Sequence, residues 1–544
     1  MTSLSVSASG AAADAIEQHV PDLVRDSVAS RLFAQDASLW GPEAEPEARI
    51  RLSWVGLARS SRPLVGEIAA LRDSLASEGL GRVVLCGMGG SSLAPEVICA
   101  TAGKPLVVLD SSDPDVVRRT VEDDLEHTVV VVSSKSGSTV ETDSQRRAFE
   151  QAFTDAGIDP AARIVVVTDP GSPLDGDARA KGYRVVNADP DVGGRYSALT
   201  AFGLVPSGLA GVDVSALLDE AESVSDLLAA DDPANPVLRL GAAMGGTTPL
   251  RDKLVLLDDG SAIVGLADWA EQLIAESTGK GGTGVLPVVV ESAQAPEVLT
   301  PPPDVLVAHL VAADDETRPS DDSVRVGGTL GAQLLLWEAA TAVAGRLLGI
   351  NPFDQPDVES AKQAARELLD QGVGDAAPPV FVDGAVEVRA LGGDWLGQPP
   401  AEGASVADAV EKLLGQVPER GYVAVMAYLD RVADAELADC RPALARRSGR
   451  PATFGWGPRF LHSTGQFHKG GPAVGVYVQI TAAPRDDLSV PGRDFTFGQF
   501  IAAQAGGDAR VLAEHGRPVL QLHLTDHDAG LDQVREALQA GDHG

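Results

Sequence analysis

Short runs of β-branched residues alternate with segments of helical composition along much of the chain, and this alternation constrains the fold more than any other feature. Between residues 82 and 189 the apolar runs are RVVLCG, LVVLD, TVVVVSSK, RIVVVTD and YRVVNAD. A strand whose sheet is covered by helices on both faces is buried on both sides, so it needs no alternating polar residues. The pattern therefore predicts a doubly wound parallel sheet across residues 55–215.

The same alternation begins again after the polar stretch DDPANP, with the apolar runs LVLLDDG, VLPVVV and DVLVAHLV. Beyond residue 376 the runs VFVDGAVEVRAL, YVAVMAYLD and VGVYVQIT predict further strands, and helices are expected near 405–415 and 529–539. A chain of 544 residues has room for about three domains. We predict an α/β protein made of an N-terminal helical segment (1–54), two tandem doubly wound parallel-sheet domains (55–215 and 216–375) and a C-terminal α/β segment (376–544).

The charge balance argues against polyanionic partners. With 43 Lys and Arg against 78 Asp and Glu, the formal net charge is −35, which repels nucleic acid and anionic membrane surfaces. The longest apolar stretch, residues 328–349, contains Glu338 and Arg346, and such charges argue against a membrane span. We therefore expect neither nucleic acid nor membrane as a partner.

The cysteines and the N-terminus favour a cytoplasmic location. Cys86, Cys99 and Cys440 have no metal-type spacing and, being three, cannot all pair with each other. Residues 1–13 lack the basic start and continuous apolar core of a secretory signal. A reducing compartment is the expectation, without a disulfide framework.

A glycine-rich turn, GMGGSS at residues 87–92, joins the first predicted strand to a helix. Glycines let a backbone approach a ligand, and the amides at a helix N-terminus favour an anion. A dinucleotide site is one reading, because Asp110 ends the next strand about 20 residues on, although Ser92 replaces the third glycine of that fingerprint. A sugar-phosphate site and a plain tight turn are the other readings of this motif.

A second motif, SSKSGST at residues 133–139, follows another strand of the same sheet and leads into a helix near Glu141. Its hydroxyls and the amides of the helix start would form a cage of neutral donors for one phosphate monoester. A Ser/Thr helix cap is the alternative, but the motif has more hydroxyls than a cap requires. The predicted phosphate-binding residues are Ser134, Lys135, Ser136, Ser138 and Thr139.

Taken in order, these motifs resemble the sugar isomerase domain and, more closely, the phosphoglucose isomerase family. GMGGSSLAP and SKSGSTVET resemble the family's glycine turn and phosphate loop. Further on, GGRYS resembles its arginine motif, EQLIAESTGKGG its catalytic glutamate segment and INPFDQPDVESAK its C-terminal lysine segment. The resemblance covers residues 80–375 and implies two tandem sugar isomerase domains, a sugar phosphate substrate, a homodimer, and no metal or other cofactor.

The chemistry implied by this resemblance is the interconversion of a 2-hydroxy aldehyde and a 1-hydroxy ketone. A proton moves between adjacent carbons through a cis-enediol, so one base must face both carbons. The resemblance assigns the base to Glu276 and substrate orientation to Gln272, which lies on the same helix face. It assigns stabilisation of the enediolate to Arg195, and sugar binding to Gly90 and Ser91.

Ring opening needs a proton-transfer group, and here the sequence departs from the family pattern. Lys362 lies in the lysine segment, but the family's L-H-S-M-G-Q segment is absent between the glutamate and that lysine, where His309 alone occurs and is read as a strand histidine. A similar segment, FLHSTGQFHKGGP, appears later, so His462 is the candidate, with His468 and Lys469 as rivals. This order resembles the isomerase portion of fused transaldolase and phosphoglucose isomerase chains. The histidine could act within its own chain or from a neighbouring subunit.

The resulting hypothesis is a cytoplasmic isomerase of glucose 6-phosphate and fructose 6-phosphate, acting in glycolysis and gluconeogenesis. Three alternatives stay open. One is a dual enzyme that also accepts mannose 6-phosphate, which differs at the carbon that loses its proton. The others are a non-catalytic sugar-phosphate sensor, although no basic recognition helix is seen, and a nicotinamide-dependent enzyme that uses Asp110.

Overall fold

The protein forms three parallel-dominated sheets connected by helices. The computed structural model describes residues 4–319, 322–370, 378–397 and 403–540. The strands are β1 Ser5–Ala8, β2 Arg82–Gly87, β3 Val107–Leu109, β4 Thr128–Ser133, β5 Ile164–Thr168, β6 Arg184–Asn187, β7 Lys253–Asp258, β8 Leu286–Val290, β9 Val305–Val311, β10 Ser323–Gly327, β11 Phe381–Asp383, β12 Val386–Leu391, β13 Tyr422–Tyr428, β14 Ala452–Trp456, β15 Gly475–Ala482 and β16 Val519–Leu524.

Helices connect nearly all of these strands. They are α1 Gly10–Arg25, α2 Val28–Phe33, α3 Glu45–Ala48, α4 Leu57–Ser60, α5 Arg62–Ser77, α6 Leu93–Thr101, α7 Pro114–Glu122, α8 Val140–Asp155, α9 Pro173–Ala180, α10 Ala201–Leu209, α11 Val214–Leu228, α12 Pro236–Gly245, α13 Leu266–Thr278, α14 Pro296–Leu299, α15 Leu330–Leu348, α16 Pro356–Asp370, α17 Val406–Leu414, α18 Arg441–Ser448, α19 Gly465–Gly470, α20 Phe497–Glu514 and α21 His527–Gln539.

The first sheet has the order β3-β2-β4-β5-β6, and its neighbouring strands are parallel throughout. Its central strands β2, β4 and β5 are almost wholly buried, as expected for β-branched strands covered on both faces. Strand order reverses between β2 and β4, whose carboxyl ends carry the glycine turn and the serine-rich loop. Ligands of doubly wound sheets bind at such a reversal.

The second sheet has the order β1-β10-β9-β7-β8. Strands β7 to β10 are parallel, and β1 adds to β10 in antiparallel register, with Ser5 opposite Gly327. The N-terminal segment, predicted to be helical, thus also supplies an edge strand. The run Ser-Val-Ser-Ala is too short to give a clear strand signal, and the strand that pairs with it is more than 300 residues away.

The third sheet has the order β11-β12-β16-β15-β13-β14. Strands β13 to β16 are parallel, whereas β11 and β12 are antiparallel additions at one edge. The prediction of an α/β fold with parallel sheets is confirmed. The boundaries at residues 54, 215 and 375 stay predictions.

Two apolar cores join the sheets to each other. The largest packs the helices of the first and second sheets together and includes Trp54, Trp269 and Trp337. Another lies between the second and third sheets and includes Tyr422, Phe460 and Phe467. The apolar stretch at residues 328–349 forms α15, which lies inside the first of these cores. Among the described residues, no helix is long and apolar enough to cross a membrane.

Candidate functional site

The glycine-rich turn follows β2 and begins with a short 3₁₀ helix at Gly89–Ser91. Gly89 has φ +55°, and a Cβ there would lie 2.7 Å from Gln272 Nε2 and 3.0 Å from His462. Gly90 packs so closely on the next motif that a Cβ would lie 2.0 Å from the carbonyl oxygen of Gly194. A side chain at either position would push apart the segments that meet here, so glycine is required by packing.

The serine-rich loop follows β4 and precedes α8. Ser134 Oγ donates to Thr139 Oγ1 at 3.2 Å, and the hydroxyls of Ser136 and Ser138 lie 2.6 Å apart. Thr139 is the N-cap of α8, but its side chain makes no capping hydrogen bond. The helix-cap reading of this motif therefore does not account for its hydroxyls, which are held together beside a helix N-terminus.

The ammonium group of Lys135 binds partners outside this loop. Its ammonium lies 2.7 Å from Asp169 Oδ2 and donates to the carbonyl of Pro190 at 2.9 Å. The structure therefore places the predicted lysine of the phosphate loop in an ion pair, while Ser138 and Thr139 line a cavity described below.

Glu276 lies in the last turn of α13 and is buried. Burial raises the pKa of its carboxyl above the ordinary value, and the nearby charges of Arg195, His462 and Lys362 offset part of that effect. Gln272, one helical turn earlier, also acts to lower this pKa. This is the environment of a base that is held partly desolvated among cations.

Arg195 is buried beside Glu276, with Nη1 3.5 Å from Glu276 Oε2. Its Nε donates to Ser277 Oγ at 2.8 Å and its Nη1 donates to Gln355 Oε1 at 2.5 Å. Nη2 donates to the carbonyls of Pro352 and Asp354. These partners occupy the guanidinium donors on every side except the side that faces Glu276. The orientation of the guanidinium is therefore set before any substrate binds.

Lys280 binds the same loop, residues 351–354, as Arg195 does. Its ammonium donates to the carbonyls of Asn351 and Asp354 at 2.7 and 2.6 Å and to Asp354 Oδ1 at 2.8 Å. Burial lowers the pKa of Lys280 to about 8, and the nearby charge of Arg195 adds to that effect. The loop that Arg195 and Lys280 bind leads directly into α16.

His462 ends a short 3₁₀ turn in the third segment, and its side chain is 13% exposed. Its Nε2 lies 3.1 Å from Glu141 Oε1, and Gln504 Nε2 donates to the same oxygen at 2.7 Å. Burial alone would raise the pKa of Glu141, but the hydrogen bond and charge of His462 outweigh it and lower that pKa. Glu141 is therefore an ionised partner for the histidine ring.

A cavity of about 90 Å³ connects His462 and Glu141 with the phosphate loop. Its polar lining includes Ser138, Thr139, Glu141, Lys362 and His462. Lys362 is half-buried on α16, the helix that follows the loop bound by Arg195 and Lys280. Candidates from the first domain, the lysine segment and the third segment thus line one cavity of a single chain.

The two rivals of His462 have other environments. His468 is fully buried between Tyr422 and Tyr477, and no hydrogen-bond partner of its ring nitrogens is found among the described residues. Burial lowers its pKa far below the ordinary value, with Lys469 and Arg517 contributing, so the ring is neutral. Lys469 lines the cavity, but its ammonium is 2.5 Å from Asp508. His309 lies on β9, as expected, beside Asp259.

Asp110, the acid of the dinucleotide reading, is not available to a ribose. Its side chain is 1% exposed and forms ion pairs with Arg459 and Arg431. A ribose hydroxyl would have to displace a guanidinium from this carboxylate. The buried negative charge would then have no positive partner, which is unfavourable. The structure therefore gives no support to the nicotinamide alternative.

Sequence reasoning missed three polar residues of the site: Glu141, Ser277 and Gln355. Glu141 looks like an ordinary acid in the first turn of a helix, and its burial becomes visible only with His462, 321 residues later, in place. Ser277 and Gln355 stand inside the glutamate and lysine motifs. The sequence signal that could have identified them was their position inside motifs already assigned to the site.

Comparison with known proteins gives a consistent result. No family model matches the chain. A probable glucose-6-phosphate isomerase of Haloarcula marismortui is 30% identical over 347 residues, which cover 53% of this chain and 78% of that protein. A glucose-6-phosphate isomerase of Rubrobacter xylanophilus is 31% identical over 361 residues, covering 54% and 83% respectively. The solved structure of a glucose-6-phosphate isomerase from Chlamydia trachomatis matches with a TM-score of 0.51 at 22% identity, over 64% of this chain and 78% of that one, and shares the fold.

Proposed function

The chain belongs to the glucose-6-phosphate isomerase family, and on this premise we propose how its residues interconvert glucose 6-phosphate and fructose 6-phosphate. The observation that carries the proposal is the convergence of Glu276, Arg195, His462 and Lys362 beside a hydroxyl-rich loop. Isomerisation needs one base, one group for developing negative charge and one group for ring opening.

Glu276 is the proposed base. It would take the proton from C2 of the open-chain aldose and return it to C1, passing through a cis-enediol. Its pKa is raised by burial, so the carboxylate is a stronger proton acceptor than an exposed glutamate. Gln272, one helical turn before Glu276, would orient the substrate oxygens.

Arg195 would stabilise the enediolate. The oxygen that gains negative charge during proton transfer needs a donor that is already in place. The guanidinium meets this need because Ser277, Gln355 and the carbonyls of residues 352 and 354 hold it rigidly beside Glu276.

The phosphate would bind at the loop of residues 134–139, where hydroxyls and helix-start amides are grouped. Ser134, Ser136, Ser138 and Thr139 are the proposed donors. Lys135 would contribute to this loop mainly by its ion pair with Asp169, which fixes the loop's position. Gly90 and Ser91 would contact the sugar.

Ring opening is assigned to His462 together with Lys362. Opening requires a proton at the ring oxygen and loss of one from the anomeric hydroxyl. His462, whose Nε2 lies 3.1 Å from Glu141 Oε1, would donate the proton to the ring oxygen. The proton lost from the anomeric hydroxyl would pass to solvent, and Lys362, which lines the same cavity, can stabilise the oxygen that loses it.

We further propose, from the family resemblance, that the protein acts in the cytoplasm and forms a homodimer. The sugar phosphate is the small-molecule partner that the proposed site fits. Neither the subunit arrangement nor the compartment enters the chemical steps above, since each of those residues belongs to one chain.

The deciding experiment measures fructose 6-phosphate turnover, with the glucose 6-phosphate formed consumed by an excess of its dehydrogenase. We expect Glu276→Gln to lower kcat by about 1000-fold or more, because a neutral amide cannot accept the proton. Substrate binding, measured by the rise in melting temperature with fructose 6-phosphate, should persist.

The matched control is Glu338→Gln, the same change at a buried glutamate of α15 that lies outside the proposed machinery. Its kcat should stay within about twofold of wild type. A Glu276→Gln protein that retains kcat within about tenfold would contradict the assignment of the base. Wild-type protein that is stabilised by fructose 6-phosphate but does not turn it over would instead support the sensor alternative.

A further inference from the structure

Four charged side chains form a closed arrangement where the third segment meets the first sheet. Arg431 and Arg459 come from the third segment, and Glu96 and Asp110 come from α6 and the end of β3. We call this group the arginine clasp. None of its members contacts the Glu276 carboxyl, and the proposed chemistry does not use them.

Each carboxylate of the clasp binds both arginines. Glu96 Oε2 lies 2.6 Å from Arg459 Nη2, and Glu96 Oε1 lies 3.0 Å from Arg431 Nη1. Asp110 Oδ2 accepts from Arg459 Nη1, while Asp110 Oδ1 lies 3.5 Å from Arg431 Nε. The two guanidinium nitrogens of Arg459 therefore bridge two different carboxylates, a geometry that a single ammonium cannot reproduce.

One member of the clasp, Arg459, lies close to His462 in the chain. Arg459 and His462 are the first and last residues of one 3₁₀ turn. On the other side of the histidine, Ser463 Oγ donates to Glu271 Oε1 of α13 at 2.7 Å. His462 is thus bracketed by two side chains, one bound to the first domain and one to the second.

We propose that Arg459 is a positioning residue, whose ion pairs with Glu96 and Asp110 hold the turn that places His462 against Glu141. This inference rests on the proposed function, because the role of His462 in ring opening comes from it. The clasp gives a physical account of how a histidine supplied by the third segment is held in a site built mainly by the first two domains. A loop without such an anchor would leave the ring free to move by more than the site tolerates.

The kinetic test compares Arg459→Lys with wild type on two substrates. Cyclic fructose 6-phosphate requires ring opening, whereas erythrose 4-phosphate cannot close a ring because its C4 oxygen carries the phosphate. We expect kcat on fructose 6-phosphate to fall by about tenfold or more. Deuterium uptake at C2 of erythrose 4-phosphate in D₂O, which needs the base alone, should stay within about twofold of wild type.

The control is Arg119→Lys. Arg119 also joins the first domain to the third segment, through two hydrogen bonds to Asp430 at 2.7 and 3.2 Å, but it is not adjacent to His462 in the chain. Its kcat on fructose 6-phosphate should stay within about twofold of wild type. Equal losses in both variants, or equal losses on both substrates, would show general loosening between segments and overturn the proposal.

A second measurement does not depend on turnover. Reaction of His462 with diethyl pyrocarbonate, followed by peptide mass spectrometry, reports how well the ring is held against Glu141. We expect the rate to rise severalfold in Arg459→Lys and to be unchanged in Arg119→Lys. An unchanged rate in Arg459→Lys overturns the inference even if wild-type protein shows no isomerase activity, so failure of the inference and failure of the proposed function can be told apart.

Discussion

Glu276 is subject to two opposed electrostatic influences. Removal from water raises the pKa of its carboxyl, while Arg195, His462 and Lys362 lower it. The net direction is upward, so the group is a stronger base than an exposed glutamate and still has cations beside it for the charge that develops on the substrate. Deprotonation of the buried carboxyl depends on those cations.

The pH profile of kcat/KM should show this balance. As pH falls, Glu276 becomes protonated and cannot accept the C2 proton, so the rate drops. Because the pKa of Glu276 is raised, we expect the midpoint of this acid limb to lie above 4.5, the ordinary value. Initial rates on fructose 6-phosphate between pH 4 and 9 provide the measurement.

The control for this profile is Lys362→Met, which removes one of the charges that lower the pKa of Glu276. The remaining activity should show its acid limb at still higher pH than wild type. An acid limb at or below the ordinary glutamate value in wild-type protein would argue that Glu276 is not the group being titrated.

Helix α15 carries a buried glutamate that has no part in the proposed catalysis. Its residues from Leu330 to Gly345 are all buried, and Glu338 lies in the middle of them. Neither carboxyl oxygen of Glu338 has a hydrogen-bond partner among the described residues. Burial raises the pKa of this carboxyl well above the ordinary value, so the helix carries a neutral acid inside an apolar core.

Glu338→Leu should stabilise the protein. It removes an unsatisfied polar group at similar volume, which is worth about 1–3 kcal/mol. The raised pKa also predicts a pH dependence in wild type. The stability that comes from the protonated acid is complete below the unfolded-state pKa and is lost as pH rises through the folded-state pKa.

Melting temperature against pH measures both effects. Glu338→Leu should melt above wild type, with the gap widening as pH rises above the unfolded-state pKa. Glu338→Gln, which keeps the polarity but cannot ionise, should flatten this decline without the full gain. A lower melting temperature for Glu338→Leu at every pH would mean that the carboxyl makes a stabilising interaction.

The whole molecule brings one site together from three parts of the chain. The first domain contributes Arg195 and the phosphate loop, the second contributes Glu276, and the third segment contributes His462. The third sheet is fixed to the second by a shared apolar core. A single chain therefore contains every residue of the proposed mechanism.

This arrangement predicts a negative result in a mixing experiment. His462→Ala and Glu276→Gln proteins, each with low activity, should stay at that level when they are co-expressed or mixed after mild dissociation, since neither subunit can supply what the other lacks. If histidines were exchanged between subunits, random pairing would instead restore up to about a quarter of wild-type turnover. Turnover of fructose 6-phosphate by the mixture is the measurement.

Local features were predictable because they depend on short-range sequence. The strands of the first sheet, the two loops at their carboxyl ends and the buried helix of residues 330–348 follow from hydrophobic periodicity and from glycine and serine at turn positions. β1 was not predictable, because a run of four residues becomes a strand only when β10 offers its free edge.

The sequence by itself determined where the glycine-rich and serine-rich loops lie and which glutamate stands beside Gln272 on one helix face, since both depend on residues within a few positions of each other. Only the tertiary structure decided which partners the charged residues of these segments have. Lys135 pairs with Asp169, Asp110 is bound by two arginines, and Glu141 becomes the partner of His462. Each of these outcomes depends on charges brought together by folding from distant positions, and neither periodicity nor spacing contains that information.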